Sequence, residues 1–478
     1  MKKKIFLIPV FIIMCCFHQC HKPLETNKEI KNLYTKGEFN AAHNLIQKSL
    51  SSATPEQTAK WNILDDNMNR IQLDFSKNEE QIKAELSKDF PDLTQEQLER
   101  WEKDKKLEMR RINGEKRYFK NAVPNLYRLD STARERKESI SGKATNPLKE
   151  FCLLNTTSLI EKAKNRINLL SEPQKYKIRF TIKVKPDVVP AGENIKCWMP
   201  FPRESQPRQK NVKLISVNSE NYLLADNSKM QRSLFMEKKA ESGQPVIFQY
   251  EAEFETSPQW MKIEQNQVKD YNTSSKLYQD FTAEREPHIV FSSEIKQLTD
   301  EITKGILNPV EKTKAIYYWI DSNIPWASAL EYSTFECIPH YVLDNKHGDC
   351  GMKTLLFMTM ARYSGIPCKW QSGWMLHPGE INLHDWCEVY FEGIGWIPVD
   401  QSFGLQNTDN IEIKEFYISG IDAYRMIIND DFSAPLFPEK EYYRSEPVDF
   451  QRGELEWKGG NLYFDKWNYD LDVTYLND

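Results

Sequence analysis

The stretch His347-Gly348-Asp349-Cys350-Gly351-Met352-Lys353-Thr354-Leu355-Leu356-Phe357-Met358-Thr359-Met360-Ala361 decides the fold of the later half of the chain. Asp349 is a strong N-cap residue, and from Leu355 to Ala361 apolar side chains fall on nearly every face. The spacing therefore predicts a buried helix that starts at Cys350 and stops near Gly365-Ile366-Pro367. Cys350 would then sit in the first turn, where unpaired amides and the positive end of the helix dipole favour thiolate over thiol. A cysteine alone proves little, because free cysteines are often inert core residues.

Its partners must come from downstream. A thiol that attacks a carbonyl needs an imidazole to take its proton and a third group to orient that imidazole. His384 opens the strand-like run Asp385-Trp386-Cys387-Glu388-Val389-Tyr390, and Asp400 closes the next, Gly395-Trp396-Ile397-Pro398-Val399. With Phe391-Glu392-Gly393 as the loop, Tyr390 pairs with Ile394 and the ladder carries His384 opposite Asp400, on one face. A loop one residue longer or shorter would put them on opposite faces.

Gly348-Asp349-Cys350, the apolar helix, Arg362 with Gly365-Ile366-Pro367, Gly373, His384-x-Trp386-x-Glu388-Val389 and Gly395-Trp396-x-x-Val399-Asp400 together resemble the transglutaminase-like superfamily core. A looser similarity extends upstream through Trp319 and Asn323-Ile324 to Pro309. The resemblance implies a papain-like arrangement, a cysteine-bearing helix packed on an antiparallel sheet. It also implies Cys350 as nucleophile, His384 as general base and acid, and Asp400 as orienter. Asp385 departs from the pattern, which commonly has a small residue after the histidine, and Lys346-His347 before Gly348 is a second departure. The resemblance implies no cofactor, and no C-x-x-C pair suggests a metal site.

Around this motif Trp374, His377 and Trp386 are candidates for the substrate cleft: Trp374 as a wall, His377 from a loop turned by Pro378-Gly379. His347 reads as a surface or supporting residue, and the Cys350 amide as one oxyanion donor.

Upstream, the core is expected over residues 285–405, with two helices across 302–324 and Ala315, Ile316, Trp319 and Ile320 on one face of the second. Before it, Tyr176, Ile178, Phe180, Ile182 and Val184 alternate with polar residues, the period of a half-buried strand. Further strand-like runs at 195–199, 212–217 and 246–254 make residues 173–262 a small antiparallel β-sandwich. Its Cys197-Trp198-Met199-Pro200-Phe201-Pro202 resembles the opening strand of the β-domain that precedes many bacterial transglutaminase-like cores. Residues 24–172 read as helical. Leu33, Tyr34, Gly37, Phe39, Ala41 and Ala42 fit a helix pair, Thr94 and Gln97 mark a helix start, and the charged stretch 101–120 reads as a solvated helix face. Residues 406–478 form a β-rich extension with a hairpin turn at Lys458-Gly459-Gly460-Asn461 that packs onto the rest. The whole is an α+β multidomain chain, as 478 residues require.

Met1-Lys2-Lys3-Lys4 and the short apolar run to Phe17 read as an export signal, residues 1–20. Cys15, Cys16 and Cys20 at its end resemble a bacterial lipoprotein signal, with Cys16 and Cys20 both candidates for lipidation. The expected location is the bacterial cell envelope, on a membrane through that lipid. Six cysteines remain beyond it, at irregular spacing, so no disulfide framework is predicted. A net charge of −5 with both signs interspersed offers nothing to a phosphate backbone, which argues against nucleic acid. The function expected from the resemblance is attack on amide bonds of a protein or peptide through a thioester, with hydrolysis favoured over crosslinking. The alternative is a non-catalytic envelope module for protein or glycan, with the N-terminal helical region as a protein-binding face.

Overall fold

A computed structural model describes residues 17–163, 168–170, 172–205 and 207–476. The chain forms two compact units, Met1–Leu126 and Tyr127–Asp478. Residues 1–16 of the signal-like segment, Cys16 among them, lie outside the described residues. Cys20 falls in the first helix, Phe17–Lys36, with its side chain outside the description.

In the first unit, Phe17–Lys36 and Phe39–Ser49 are a helix pair joined at Gly37, whose φ of 76° only glycine adopts freely. A Cβ there would lie 2.1 Å from the carbonyl oxygen of Arg111. Thr54 and Asn78 cap Pro55–Asp74 and Glu79–Leu86, and Thr94 caps Gln95–Lys103, accepting from the Gln97 amide. The reading of 101–120 as a helix face is corrected. The helix stops at Lys103, and Met109–Ile112 and Glu115–Tyr118 form an antiparallel hairpin turned at Asn113-Gly114. Asn-Gly is a strong two-residue hairpin signal, and Ile112 and Tyr118 supply the strands' buried ends. The charges are employed: Lys116 Nζ pairs with Glu102 at 2.9 Å.

The second unit is α+β. Its sandwich has two sheets. One runs Trp467–Tyr475, Gln174–Val184, Val246–Thr256, Gln209–Val217; the other runs Gly460–Asn461, Glu454–Trp457, Asn194–Pro200, Ser233–Lys239, Tyr222–Leu224. The alternation of 176–184 is explained by one face pointing inward, with Tyr176, Ile178, Phe180 and Ile182 wholly buried. Strands from the C-terminal stretch thus complete both sheets. Trp467–Tyr475 pairs with Gln174–Val184 along its whole length, and Trp467 and Leu471 enter the shared core.

The third sheet carries the site, in the order Gly395–Val399, Glu380–Phe391, Cys368–His377, Arg425–Asn429. The last strand comes from beyond residue 405, so the sheet draws on the stretch read as an extension. Helix Cys350–Tyr363 packs against this sheet with every residue from Gly351 to Arg362 buried, as an all-round apolar helix requires. Helices Ser293–Ile302 and Pro309–Asn323 lie beside it, and Ile316 and Ile320 join the same core. The first of them ends, rather than begins, at Ile302.

Candidate active site

Asp349 caps the helix as its side chain predicts, accepting from the Met352 amide at 3.1 Å, and Cys350 is the first helical residue. The Tyr332 hydroxyl donates to the same carboxylate. Gly351 leaves room for two neighbouring groups: a Cβ would stand 2.3 Å from the Tyr332 hydroxyl and 2.6 Å from Asp385 Oδ2, and one or both would have to shift. Cys350 keeps partial access to solvent.

The hairpin register differs from the expected one by a single step of the loop. Phe391 pairs with Gly395 and Tyr390 with Trp396, so the loop is Glu392-Gly393-Ile394 and His384 is not directly opposite Asp400. Gly393 and Gly395, at φ 85° and 109°, allow this turn. The loop still holds three residues, so parity is kept and the two side chains share a face as diagonal neighbours. His384 Nε2 lies 2.7 Å from Asp400 Oδ2. With Nε2 held by the carboxylate, Nδ1 is the nitrogen left to accept a proton. The ring rests on Trp386, 5.9 Å away at 22°, and meets Phe403 edge-on at 5.0 Å.

Asp400 is fully buried. Burial pushes its pKa up, but His384 and Arg425, with the Phe403 amide, outweigh that and hold it below the ordinary value. It is thus an anion at neutral pH, fit to stabilise an imidazolium. Its Oδ1 accepts from the Ser402 and Phe403 amides at 3.1 and 3.2 Å.

The sulfur does not behave as its helix position predicts. Burial first, then the Asp385 and Asp349 carboxyls, push the Cys350 thiol well above its usual value. A helix N-terminus contributes about half a charge, too little against two carboxyls and a dense surround. The thiol's hydrogen bond goes to Asp385 Oδ2 at 3.4 Å, and no hydrogen bond joins it to His384 among the described residues.

The three cleft candidates are all buried. Trp374 is buried between Phe180 and Tyr469 of the sandwich, its indole donating to the Gln451 carbonyl at 2.9 Å, so it is core and not a wall. His377 ends a strand instead of riding a loop, is wholly buried, and sits 3.2 Å from Asp422 Oδ2. Trp386 is also wholly buried, donating to Gln371 Oε1 at 2.9 Å, and forms the floor under His384.

Sequence reasoning missed Arg425 and Gln451. The Arg425 guanidinium, fully buried, reaches Asp400 Oδ2 at 3.1 Å and Asp422 Oδ1 at 3.0 Å, and lies 4.2 Å over the Phe403 ring. A lone arginine opening the apolar run Met426-Ile427-Ile428, three residues after an aspartate, is the signal that marks it. Gln451 Nε2 donates to the His384 carbonyl at 2.9 Å and to Asp385 Oδ1 at 2.8 Å. Nothing in the local sequence marks it.

Residues 296–401, which hold Cys350, His384 and Asp400, match the family described as the transglutaminase-like superfamily. This segment is a transglutaminase-like core. The uncharacterized protein YebA of Bacillus subtilis is 24% identical over 151 residues; the match spans 27% of this chain and 20% of that protein's length. A solved structure described as a putative cysteine protease from Cytophaga hutchinsonii is 16% identical, with a TM-score of 0.46 over 65% of this chain and 93% of that one. The periplasmic domain of TgpA from Pseudomonas aeruginosa is 13% identical, with a TM-score of 0.26 over 49% and 93%. The transglutaminase-like core takes its helix, its histidine strand and its aspartate turn from within the matched residues. Arg425 and Gln451, which brace that turn and the histidine strand, lie beyond them.

Proposed function

We propose that Cys350, His384 and Asp400 work as the triad of a cysteine enzyme that cleaves amide bonds of a protein or peptide through a thioester. The observation that carries this reading is the 2.7 Å bond from His384 Nε2 to the buried Asp400 carboxylate, which leaves Nδ1 as the ring nitrogen that can take a proton. In the proposed cycle, Nδ1 takes the thiol proton and the sulfur attacks the carbonyl carbon. The Cys350 amide, at a helix start where backbone donors lack an intrahelical partner, serves in this reading as one oxyanion donor. The imidazolium protonates the departing amine, and a second acceptor then resolves the thioester. Water is the favoured acceptor because it needs no docking place of its own, whereas a lysine amine does. In the same reading the protein is exported and held on the bacterial envelope by a lipid on Cys16 or Cys20.

One observation favours the rival, a non-catalytic binding module: the resting sulfur is bonded to Asp385 and not to His384. Acyl-adduct trapping separates the two. Envelope extract peptides are expected to be captured as thioesters on Cys350 of the wild type and not on Cys350→Ala, read by mass spectrometry. Equal recovery from both proteins would sink the enzyme reading.

A further inference from the structure

The residue after the histidine is one of two places where this chain departs from the family pattern, and the structure shows what stands there. The Asp385 carboxyl is fixed at both oxygens. Oδ2 receives the Cys350 thiol at 3.4 Å, while Oδ1 receives Gln451 Nε2, which also grips the His384 carbonyl. The bare Cα of Gly351 leaves the room for it.

We propose that Asp385 is a positioning residue that restrains the nucleophile, holding the Cys350 thiol as its own hydrogen-bond donor and keeping it from His384 until that bond is released. The proposal rests on the triad reading above. The groups that face Asp385 are acidic from every side. Asp349 comes from the helix start, with Tyr332 and Glu331 behind it; Glu446 and Asp449 come from the loop before Glu454–Trp457. The nearby cation, Arg452, is engaged at 2.6 Å by both Glu331 and Glu446, and no ion pair reaches Asp385 among the described residues. Burial, then Asp449 and Asp349, hold the Asp385 carboxyl well above its ordinary range. A thiolate formed beside this carboxyl adds negative charge to an acidic cluster, which opposes ionisation of the thiol. Activation moves the thiol proton to His384 Nδ1, giving thiolate and an imidazolium whose charge Asp400 balances. Asp385 gains and loses nothing in that step.

Asp385→Asn keeps the shape and the oxygen that accepts from Gln451, while its amide N–H can donate to a thiolate. Asp385→Ala restores the small residue, and Gln451→Ala loosens the carboxyl without touching it. The test is the rate of iodoacetamide labelling at Cys350, read on the labelled peptide by mass spectrometry across pH, with circular dichroism on each variant. D385N and D385A are expected to shift the profile to lower pH by about one unit, roughly tenfold faster labelling at pH 7, with a smaller rise for Q451A. Profiles that superimpose on the wild type in all three variants, or slower labelling in a folded D385N, overturn the proposal. His384→Ala is the separate control. If it slows labelling while the Asp385 variants change nothing, the triad stands and the restraint falls. If it changes nothing, the triad reading itself falls.

Discussion

Arg425 lies between two carboxylates that point toward two histidines, and its guanidinium is the shared cation of both pairs. Asp422, like Asp400, is buried, which raises its pKa; Arg425 and His377 reverse that and hold it well below the ordinary range. For a carboxyl depressed in the folded state, the stability it contributes is present above its unfolded pKa, about 4, and is lost as pH falls through the folded value. Arg425→Met leaves two buried anions without their common partner, and breaking a buried pair costs about 3–5 kcal/mol. Urea denaturation at pH 7 is expected to show a loss of that order, shrinking as the pH approaches 3, because the two carboxyls can then be protonated. A loss that is the same at both pH values would mean that the guanidinium acts through packing alone. Only the arginine three residues after an aspartate is legible in residues 422–425; its two partners are not, since charge pairing between a strand and a turn is set by tertiary contact.

At the scale of the element, the hairpin that joins His384 to Asp400 was read with the right parity and the wrong partners. The difference is instructive because parity alone decides which face a side chain takes, while the exact pairing depends on where the loop begins. Two glycines with positive φ, Gly393 and Gly395, let the strand run on through Phe391, a preference that apolar patterning does not encode. Inserting one glycine between Gly393 and Ile394 is expected to turn His384 away from Asp400 while leaving the Cys350 helix folded. Labelling of Cys350 should then lose its His384 dependence, measured as equal rates with and without His384→Ala in the inserted background. A retained dependence would mean the register recovers by slipping. The Cys350 helix was the most legible element, because the Asp349 cap and the all-round apolar run 355–361 act locally. Its sulfur's environment was not, because Asp385 and Gln451 reach it from elsewhere in the chain.

For the second unit as a whole, the sandwich was visible in its first strands but not in its last ones. The period-two run from Tyr176 declares a half-buried strand, yet nothing in it says that its neighbour is Trp467–Tyr475. Removing residues 467–478 is expected to uncover the edge of Gln174–Val184 and the core around Tyr176, Ile178 and Phe180. A loss of several kcal/mol in a urea melt and self-association in light scattering should follow, since an exposed apolar edge strand pairs with other chains. A truncated chain that melts as the full one does would show that this strand is only an ornament.

Gln451 and the two sheet-completing strands also impose an order in time. The ribosome makes Cys350 long before it makes the glutamine that grips His384 and Asp385 or the strands that close the sandwich. A nascent chain therefore carries its thiol without the fixed surround of the finished protein. On the proposal above, the restraint on that thiol is the last part of its surround to be made, complete only when translation has run almost its full course.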